Sequence, residues 1–192
     1  MVARLDTKMS ERSTRTRRHD PNRRDRIIAV ALDVIAETGV EGVTHRHIAS
    51  LADVSLGSMT YHFEGMDDLL ASAFELYSQQ VSAHYALHLE RATNADQARD
   101  AVTDYLFSPF WQEKRNFVLL MELYSYVARH PPMRERVQNW LSNGRLFLER
   151  HFDSITAKML DSFIEGVTLH RAIDPDLLDR ENVRRSIERL TS

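Results

Sequence analysis

Residues 44–62 carry a group of side chains able to bind a charged or hydrogen-bonding partner. Hydroxyl, imidazole and guanidinium groups alternate there with small and apolar residues. Arg46, Ser58 and Thr60 can donate hydrogen bonds to phosphate oxygens or base edges, and the Thr60 methyl group can contact a thymine methyl. This pattern favours recognition of a nucleic acid over catalysis.

Catalysis and metal binding have little support in the sequence. The chain has no cysteine, which excludes thiolate metal sites and cysteine nucleophiles. No nucleophile, base and orienting group stand at a recognisable spacing, and no glycine-rich phosphate loop is present. His84 and His88 lie one helical turn apart, as metal ligands can, but no third ligand has a clear spacing. We expect no catalytic residue, no metal and no cofactor, with a small all-α enzyme using a histidine as an alternative.

Around the polar stretch, the apolar spacing predicts two short helices joined by a tight turn. Thr44 can cap the first helix, Asp53-Val54-Ser55 can form the turn, and Ser55 can cap a second helix that runs to about His62. Two short helices joined in this way form a helix-turn-helix. The second helix of such a pair enters the major groove of DNA, where its first residues reach the base edges.

This predicted helix-turn-helix has an inner and an outer face. Ala49 is small where the two helices cross, and Val54 and Met59 can fill the space between them. Met59 and Phe63 are predicted to be core residues, while Gly57 allows the backbone to approach phosphates closely. The side chains left on the outer face of the second helix are Leu56, Ser58, Thr60 and Tyr61.

The rest of the chain also predicts helices. Six glycines and five prolines leave few turns for strands, and apolar residues recur at the helical spacing. A first helix begins near Pro21 and ends at Gly39, and a long fourth helix with Asp67 and Asp68 in its first turn reaches about Arg91. Further helices are predicted over residues 95–107, 115–129, 132–152, 156–172 and 176–190.

The charge is unevenly distributed along the chain. The net charge is −3, yet residues 1–26 hold nine basic and four acidic residues, a net charge of +5, which leaves −8 on the other 166 residues. Residues 1–20 lack helical apolar spacing, so we expect a flexible basic arm that contacts DNA, with a solvated tail as the alternative. Residues 1–8 show no pattern, which makes Met9 a second candidate for the first residue. The arginines best placed to contact phosphate are Arg12, Arg15, Arg17 and Arg18.

Several short elements follow one another in a fixed order within residues 24–76. They are Gly39, Gly42-Val43, Thr44, Ile48-Ala49, Asp53-Val54-Ser55, Gly57, Tyr61-His62-Phe63 and Asp68-Leu69-Leu70. This combination resembles the TetR family of bacterial transcriptional regulators. The resemblance implies an all-α homodimer with an N-terminal three-helix DNA-binding domain and a C-terminal helical domain for ligand binding and dimerisation. The implied division is a basic arm over residues 1–20, the helix-turn-helix domain over 21–66 and the helical domain over 67–192.

The resemblance also implies roles for individual residues. Thr44, Tyr61 and His62 would contact phosphate, with packing against the fourth helix as the alternative for Tyr61 and His62. Ser55 and Gly57 belong to the same DNA-binding set. The residues expected in the groove are Arg46, Leu56, Ser58, Thr60 and Tyr61.

Two residues depart from the family pattern. Asp53 replaces the usual turn glycine, and aspartate accepts a left-handed backbone better than most residues. Met66 stands where the family usually has a lysine that contacts phosphate, a contact that the arginine-rich arm can replace. A narrower similarity is to enterobacterial members linked to biofilm and curli control. It is carried by residues 57–61, Gly65, Leu69-Leu70 and residues 163–170.

In the C-terminal half, aromatic residues on several helices can line a cavity for a small molecule. Such sites are usually apolar with a few polar groups, and plain core packing is the alternative for each residue. The candidates are Tyr77, Tyr85, Phe107, Phe110, Trp111, Phe117, Met121, Tyr124 and Phe147.

Two apolar stripes near the C-terminus predict a dimer interface. Paired with their copies, the helices over 132–152 and 156–172 would form a four-helix bundle. A monomer that buries these stripes internally is the alternative. The residues expected in the interface are Trp140, Leu148, Leu160, Phe163, Ile164, Gly166 and Val167.

The sequence therefore predicts a ligand-responsive repressor or activator that binds a palindromic duplex as a homodimer. No apolar run approaches the roughly 20 residues of a membrane helix, and the first residues lack the apolar core of a signal peptide. We expect a cytoplasmic protein associated with the nucleoid. A constitutive architectural DNA binder without a ligand is the main alternative.

Overall fold

Residues 21–192 are described in a computed structural model, and the predicted basic arm over residues 1–20 lies outside the described residues. This part of the chain forms ten α-helices and two 3-10 segments, with no strand, which confirms the all-α class. The helices are α1 (Arg23–Thr38), α2 (His45–Leu51), α3 (Leu56–His62), α4 (Met66–Leu89), α5 (Ala95–Leu106), α6 (Pro109–Gln112), α7 (Lys114–Arg129), α8 (Arg134–Glu149), α9 (Ser154–Ile173) and α10 (Arg180–Leu190). The 3-10 segments are Val40–Gly42 and Pro131–Met133.

Three helices differ from the sequence prediction, each near a proline. The single-turn helix α6 is absent from the prediction, and Pro109 occupies its first position. Helix α8 spans residues 134–149 instead of 132–152, because a 3-10 segment that begins with two prolines precedes it. Helix α10 begins at Arg180 instead of residue 176, because Asp179 caps it by accepting a hydrogen bond from the Asn182 N–H at 2.7 Å.

Two apolar cores hold the helices together. The first joins α1, α2, α3, the first half of α4 and α7, around buried residues such as Ile27, Met59 and Leu119. The second joins the end of α4 to α5, α9 and α10, around Leu160 and Val183. Helix α4 has 24 residues and runs through both cores. One rigid helix, about 36 Å long at 1.5 Å per residue, therefore connects the α2–α3 pair to the far end of the molecule.

Candidate nucleic-acid interface and internal cavity

The inner face of the α2–α3 pair is built into the first core. Ile48 and Ala49 of α2 and Met59 of α3 are buried, and Phe63 is buried just after α3. Val54 in the turn is half-buried against the same core. The prediction that Met59 and Phe63 are core residues is confirmed. Apolar residues thus hold α3 from one side and leave its other side free.

The opposite face of α3 is open to solvent. Tyr61 is 83% exposed, and Leu56 and Thr60 are also exposed. Arg46 on α2 is exposed as well, whereas the predicted contacts Ser58 and His62 are half-buried. The Thr60 hydroxyl donates to the backbone carbonyl of Gly57 at 3.2 Å. Its proton is therefore already used, and the methyl group is left for contact with a partner.

The two helices of the pair begin differently. Thr44 caps α2 as predicted, because its Oγ1 accepts a hydrogen bond from the backbone N–H of His47 at 3.2 Å. Ser55 makes no such bond to α3, and its hydroxyl instead lies 3.1 Å from the hydroxyl of Ser58. Ser55 thus occupies the N-cap position of α3 as predicted, but the side-chain bond expected of a capping serine is absent. The pairing of the two hydroxyls instead orients Ser58, one of the predicted groove residues.

Asp53 shapes the turn between α2 and α3. Its φ is 50°, in the left-handed region, and no other non-glycine residue among 21–192 has a positive φ. The Val54 N–H donates to the Ala49 carbonyl at 3.0 Å, and Arg26 of α1 donates through Nε to the Ala52 carbonyl at 3.1 Å. An aspartate thus occupies the conformation of the family's turn glycine, and α1 holds the turn from behind.

The junction between α3 and α4 is held by contacts within the chain. Met66, at the position of the family's lysine, starts α4 and is half-buried against the first core. Asp68 accepts a hydrogen bond from the Glu64 N–H at 3.1 Å through Oδ2. The guanidinium of Arg24 lies over the Phe63 ring, 5.2 Å from its centroid. The end of α3 and the start of α4 are therefore joined by direct contacts.

A cavity of about 110 Å³ lies in the C-terminal half between α4, α5, α6, α7, α8 and α9. Its lining includes Tyr85, Tyr105, Trp111, Phe147, Asp161 and Glu165. A more open cleft of about 500 Å³, mainly between α4 and α8, shares Ser82, Trp140 and Asn143 with the cavity. The Trp140 indole N–H donates to the Ser82 hydroxyl at 3.0 Å. This bond therefore joins two residues that line both the cavity and the cleft.

The cavity contains three of the aromatic residues that the sequence suggested, namely Tyr85, Trp111 and Phe147. Tyr77 lies in the first core instead, where its hydroxyl donates to the Asn116 carbonyl at 2.7 Å. Phe107 packs under the Arg171 guanidinium, 3.5 Å from the ring centroid. These two residues support the fold and do not line the cavity.

Four further residues on the predicted list also lie outside the lining. Phe110 stacks against the His84 ring at 4.6 Å, and Phe117 and Met121 are half-buried elsewhere on α7. Tyr124 reaches the cavity only indirectly, by donating its hydroxyl hydrogen bond to Glu165.

The sequence prediction missed the polar side of the cavity. Asp161 and Glu165 stand one turn apart on α9 and both line it. Arg145 pairs with Asp161 at 3.1 Å between Nη1 and Oδ2, whereas Glu165 accepts a hydrogen bond from the neutral Tyr124 hydroxyl. Burial raises the pKa of both carboxyl groups. The cavity therefore combines aromatic walls with two carboxylates, of which only Asp161 is in direct ion-pair contact with Arg145.

His84 and His88 are engaged within the chain. The His84 Nε2 lies 2.8 Å from the Ser108 hydroxyl, and the His88 Nδ1 lies 2.9 Å from the His84 carbonyl. Burial, with a further contribution from His88, lowers the pKa of His84 and favours its neutral ring. Within residues 21–192, no three histidine or acidic side chains are grouped as metal ligands.

Most residues predicted for a dimer interface lie inside the chain. Leu148 and Leu160 are completely buried, and Ile164 and Val167 are buried beside them in the second core. Helices α5 and α10 cover this stripe with their own apolar faces. The interface prediction is corrected for these four residues, because they stabilise the single chain.

The outward face of α8 and α9 carries a different set of residues. Trp140 is not part of this face, because it bonds to Ser82 of α4 and lines the cavity, while Phe163 and Gly166 are half-buried. A Cβ at Gly166 would meet no atom of the chain within 4 Å. The large apolar residues that remain exposed on these two helices are Leu146, Ile155, Met159 and Ile173.

Comparison with known proteins finds transcriptional regulators of bacteria. The family profile described as "Bacterial regulatory proteins, tetR family" matches residues 27–73. The solved structure of SCO7518 from Streptomyces coelicolor A3(2), described as a transcriptional regulator, is 44% identical, with a TM-score of 0.85 over 90% of this chain and 99% of that chain. The multidrug binding protein EbrR is 29% identical, with a TM-score of 0.74 over 90% and 97%. The HTH-type transcriptional regulator PksA of Bacillus subtilis is 25% identical over 184 residues, 86% of each chain.

The fold and the exposed recognition helix define a helix-turn-helix DNA-binding protein. The chain belongs to the TetR family and is a DNA-binding transcriptional regulator, which confirms the resemblance carried by residues 24–76. The narrower similarity to biofilm and curli regulators stays a prediction. None of the helices between residues 21 and 192 has the length and apolar character needed to cross a membrane.

Proposed function

We propose that this regulator binds a palindromic DNA operator as a homodimer and changes its operator affinity when a small molecule occupies the cavity. The observation that carries this proposal is the presence, in one chain, of an exposed recognition helix and a cavity with aromatic walls. An architectural DNA binder has no use for such a cavity. An enzyme would need a nucleophile or base beside its substrate.

The DNA-binding unit comprises residues 21–66, with the arm over 1–20 as an additional source of phosphate contacts. The groove residues are Arg46, Leu56, Ser58, Thr60 and Tyr61, and the phosphate contacts are Thr44, Tyr61 and His62, beside Ser55 and Gly57. Support comes from the exposure of Tyr61, Thr60 and Arg46 on one side of a helix pair whose other side is buried. Such a surface fits a major groove, which admits one helix.

The dimer forms through the outward face of α8 and α9. Ile155 is 70% exposed and Ile173 is 73% exposed, and with Met159 they follow one side of α9. Phe163 and the open space around Gly166 continue that face. Exposed apolar residues grouped in this way mark protein–protein contact sites. This face replaces the buried stripe that the sequence suggested.

The C-terminal unit over residues 67–192 holds the effector. Solved relatives support an organic effector, since EbrR has been solved with imidazole, proflavin, ethidium and malachite green. Helix α4 supplies Val81, Ser82 and Tyr85 to the cavity and begins four residues after α3 ends. A ligand that shifts α4 would therefore alter the distance between the two α3 helices of a dimer. The dimer could then no longer bind both half-sites of its operator at the same time.

Selection of duplexes from a random library by the full-length chain tests this function. We expect enrichment of inverted half-sites, lost in Tyr61→Ala and kept in Leu87→Ala, a control on an exposed residue of α4. Enrichment of no sequence would contradict operator binding. A thermal-shift screen against metabolites separates the sensor from the architectural alternative, which predicts that no compound both stabilises the protein and changes operator affinity.

A further inference from the structure

We infer that the cavity selects an organic cation carrying an aromatic ring, and that Glu165 is the carboxylate that balances its charge. This inference rests on the proposed function of the cavity as the effector site. It goes further by stating which charge the effector carries and which residue recognises it.

The balance of charges inside the cavity is the first argument. Among the described residues that line it, Asp161 and Glu165 are the only carboxylates, and none is basic. Asp161 is neutralised by Arg145, with 3.1 Å between the charged atoms and both side chains only 23% exposed. Glu165 accepts a hydrogen bond from the neutral Tyr124 hydroxyl and shares the charge of Arg145 with Asp161. Two carboxylates thus face one guanidinium, which leaves one net negative charge in a partly desolvated position, where a cationic group compensates it.

The arrangement of the aromatic rings is the second argument. Tyr85 stands perpendicular to Tyr105 at 4.8 Å between centroids, and Tyr105 stands perpendicular to Trp111 at 5.8 Å. Phe147 is perpendicular to Tyr85 at 6.0 Å. Walls set at right angles offer ring faces and ring edges around one space. Ring faces attract cations, and aromatic cages are a known means of binding quaternary ammonium groups.

An unpartnered hydroxyl in the wall is the third argument. Tyr85 is only 8% exposed, and its hydroxyl oxygen is buried without a hydrogen-bond partner. Buried polar groups in folded proteins nearly always have a partner. Tyr85 lines the cavity, so a polar group of the ligand would satisfy it. A purely apolar ligand would leave both this hydroxyl and the Glu165 charge unsatisfied.

The size of the cavity limits the ligand. A space of about 110 Å³ is close to the cavity of about 150 Å³ that binds benzene in an engineered protein, so one aromatic ring fits without rearrangement. A larger ligand must break the bond between Trp140 and Ser82 and extend into the cleft of about 500 Å³ beyond. The ring therefore enters first, with the positive charge near Glu165 and any substituent toward Trp140.

Two probes of nearly equal shape test the charge preference directly. The native full-length protein is titrated calorimetrically with 1-methylpyridinium, a single-ring cation, and with toluene, its neutral counterpart of the same shape. We expect the cation to bind about tenfold more tightly or better, the scale of a charge and cation–π contribution. Equal affinities, a preference for the neutral probe, or no binding of the cation would overturn the inference without any variant being made.

Variants then locate the charge. Glu165→Gln keeps the shape and the Tyr124 contact, and it should abolish the preference for the cation. Glu135→Gln on the exposed side of α8 is the matched control and should preserve it. Thermal melts establish that both variants are folded. Because operator binding is measured separately on the same samples, a native protein that binds its operator but shows no preference for the cation would overturn this inference alone. An unchanged preference in Glu165→Gln would assign the charge recognition to another residue and overturn it as well.

Discussion

The carboxylate of Glu122, in the middle of α7, accepts a hydrogen bond from the backbone N–H of Val40 at 3.0 Å. Val40 opens the 3-10 segment that leads into α2, so the bond joins the C-terminal half of the chain to its DNA-reading half. Two residues further along α7, Tyr124 donates to Glu165 in the cavity. Helix α7 is therefore bonded, within one turn, to a residue that lines the cavity and to the entry of the helix-turn-helix.

Removing the Glu122 acceptor should destabilise the protein. Glu122→Ala leaves the Val40 N–H without its charged partner, and we expect the free energy of unfolding to fall by about 1–3 kcal/mol. Glu122→Gln should cost less, because the amide oxygen still accepts. Urea unfolding measures both, and equal stability of Glu122→Ala and the native protein would show that the bond contributes nothing.

Gly57→Ala should separate DNA binding from folding. A Cβ at Gly57 would come no closer than 3.9 Å to another atom, the Ser55 Oγ. The fold should accept it and gain up to about 1 kcal/mol from the higher helix propensity of alanine. Operator affinity should nevertheless fall, since the added methyl group holds the backbone away from the phosphate. Unchanged affinity in a gel shift would exclude the close approach.

Thr60 and His62 should differ in what their loss does to sequence preference. Thr60→Ala should cost on the order of 1 kcal/mol at one base position, the low end of a base-contact penalty. His62→Ala should weaken binding to all sequences alike, because a phosphate contact carries no base information. Binding of each variant to single-base operator changes measures this, with circular dichroism as the folding control. The roles would be reversed if only His62→Ala altered a preference.

A charge on the outward face of α9 should separate the dimer. Ile155→Asp places a carboxylate on the proposed contact surface, and we expect a monomer in sedimentation velocity with weakened operator binding. Leu87→Asp is the matched control, since Leu87 is an exposed apolar residue of α4, away from that surface. A native protein that sediments as a monomer would contradict the dimer itself.

The stability of Glu165→Gln relative to the native protein should increase as the pH rises. Burial is the main cause that raises the Glu165 pKa from its ordinary value of 4.5, and the Tyr124 hydrogen bond partly opposes it. An acid with a raised pKa in the folded state favours folding at low pH, and this contribution is lost as the pH rises through the folded-state pKa. Melting temperatures of the native protein should therefore fall relative to the variant above about pH 4.5. Parallel curves would contradict this.

The DNA-reading half could be predicted from sequence because its signals are local. Thr44 caps the helix that follows it, and Asp53 takes the turn conformation within the pair that it joins. Met59 follows the apolar spacing of its own helix into the core. Ser55 precedes α3 as predicted but makes no capping bond, because two serine hydroxyls one turn apart can bond to each other, a choice that spacing does not reveal.

The cavity and the dimer face depend on how helices distant in sequence pack together, and the spacing of apolar residues along the chain does not determine that packing. Leu160 lies on an apolar stripe that fits either a partner chain or α10, and α10 covers it here. Asp161 and Glu165 are spaced like acids on a solvated helix face. Only the packing of α7 and α8 against α9 places them against the cavity. Tyr77 was suggested for the cavity because aromatic residues fit a core and a ligand site equally well.

The chain contains two tryptophans, Trp111 and Trp140, and both line the cavity. All indole emission of the protein therefore originates at this one place, with no background from elsewhere in the chain. Trp140 also gives up its bond to Ser82 if the boundary with the cleft opens, which would change the polarity around its ring. The native protein thus carries a built-in optical reporter, and its emission can follow occupancy of the cavity in real time without any attached dye.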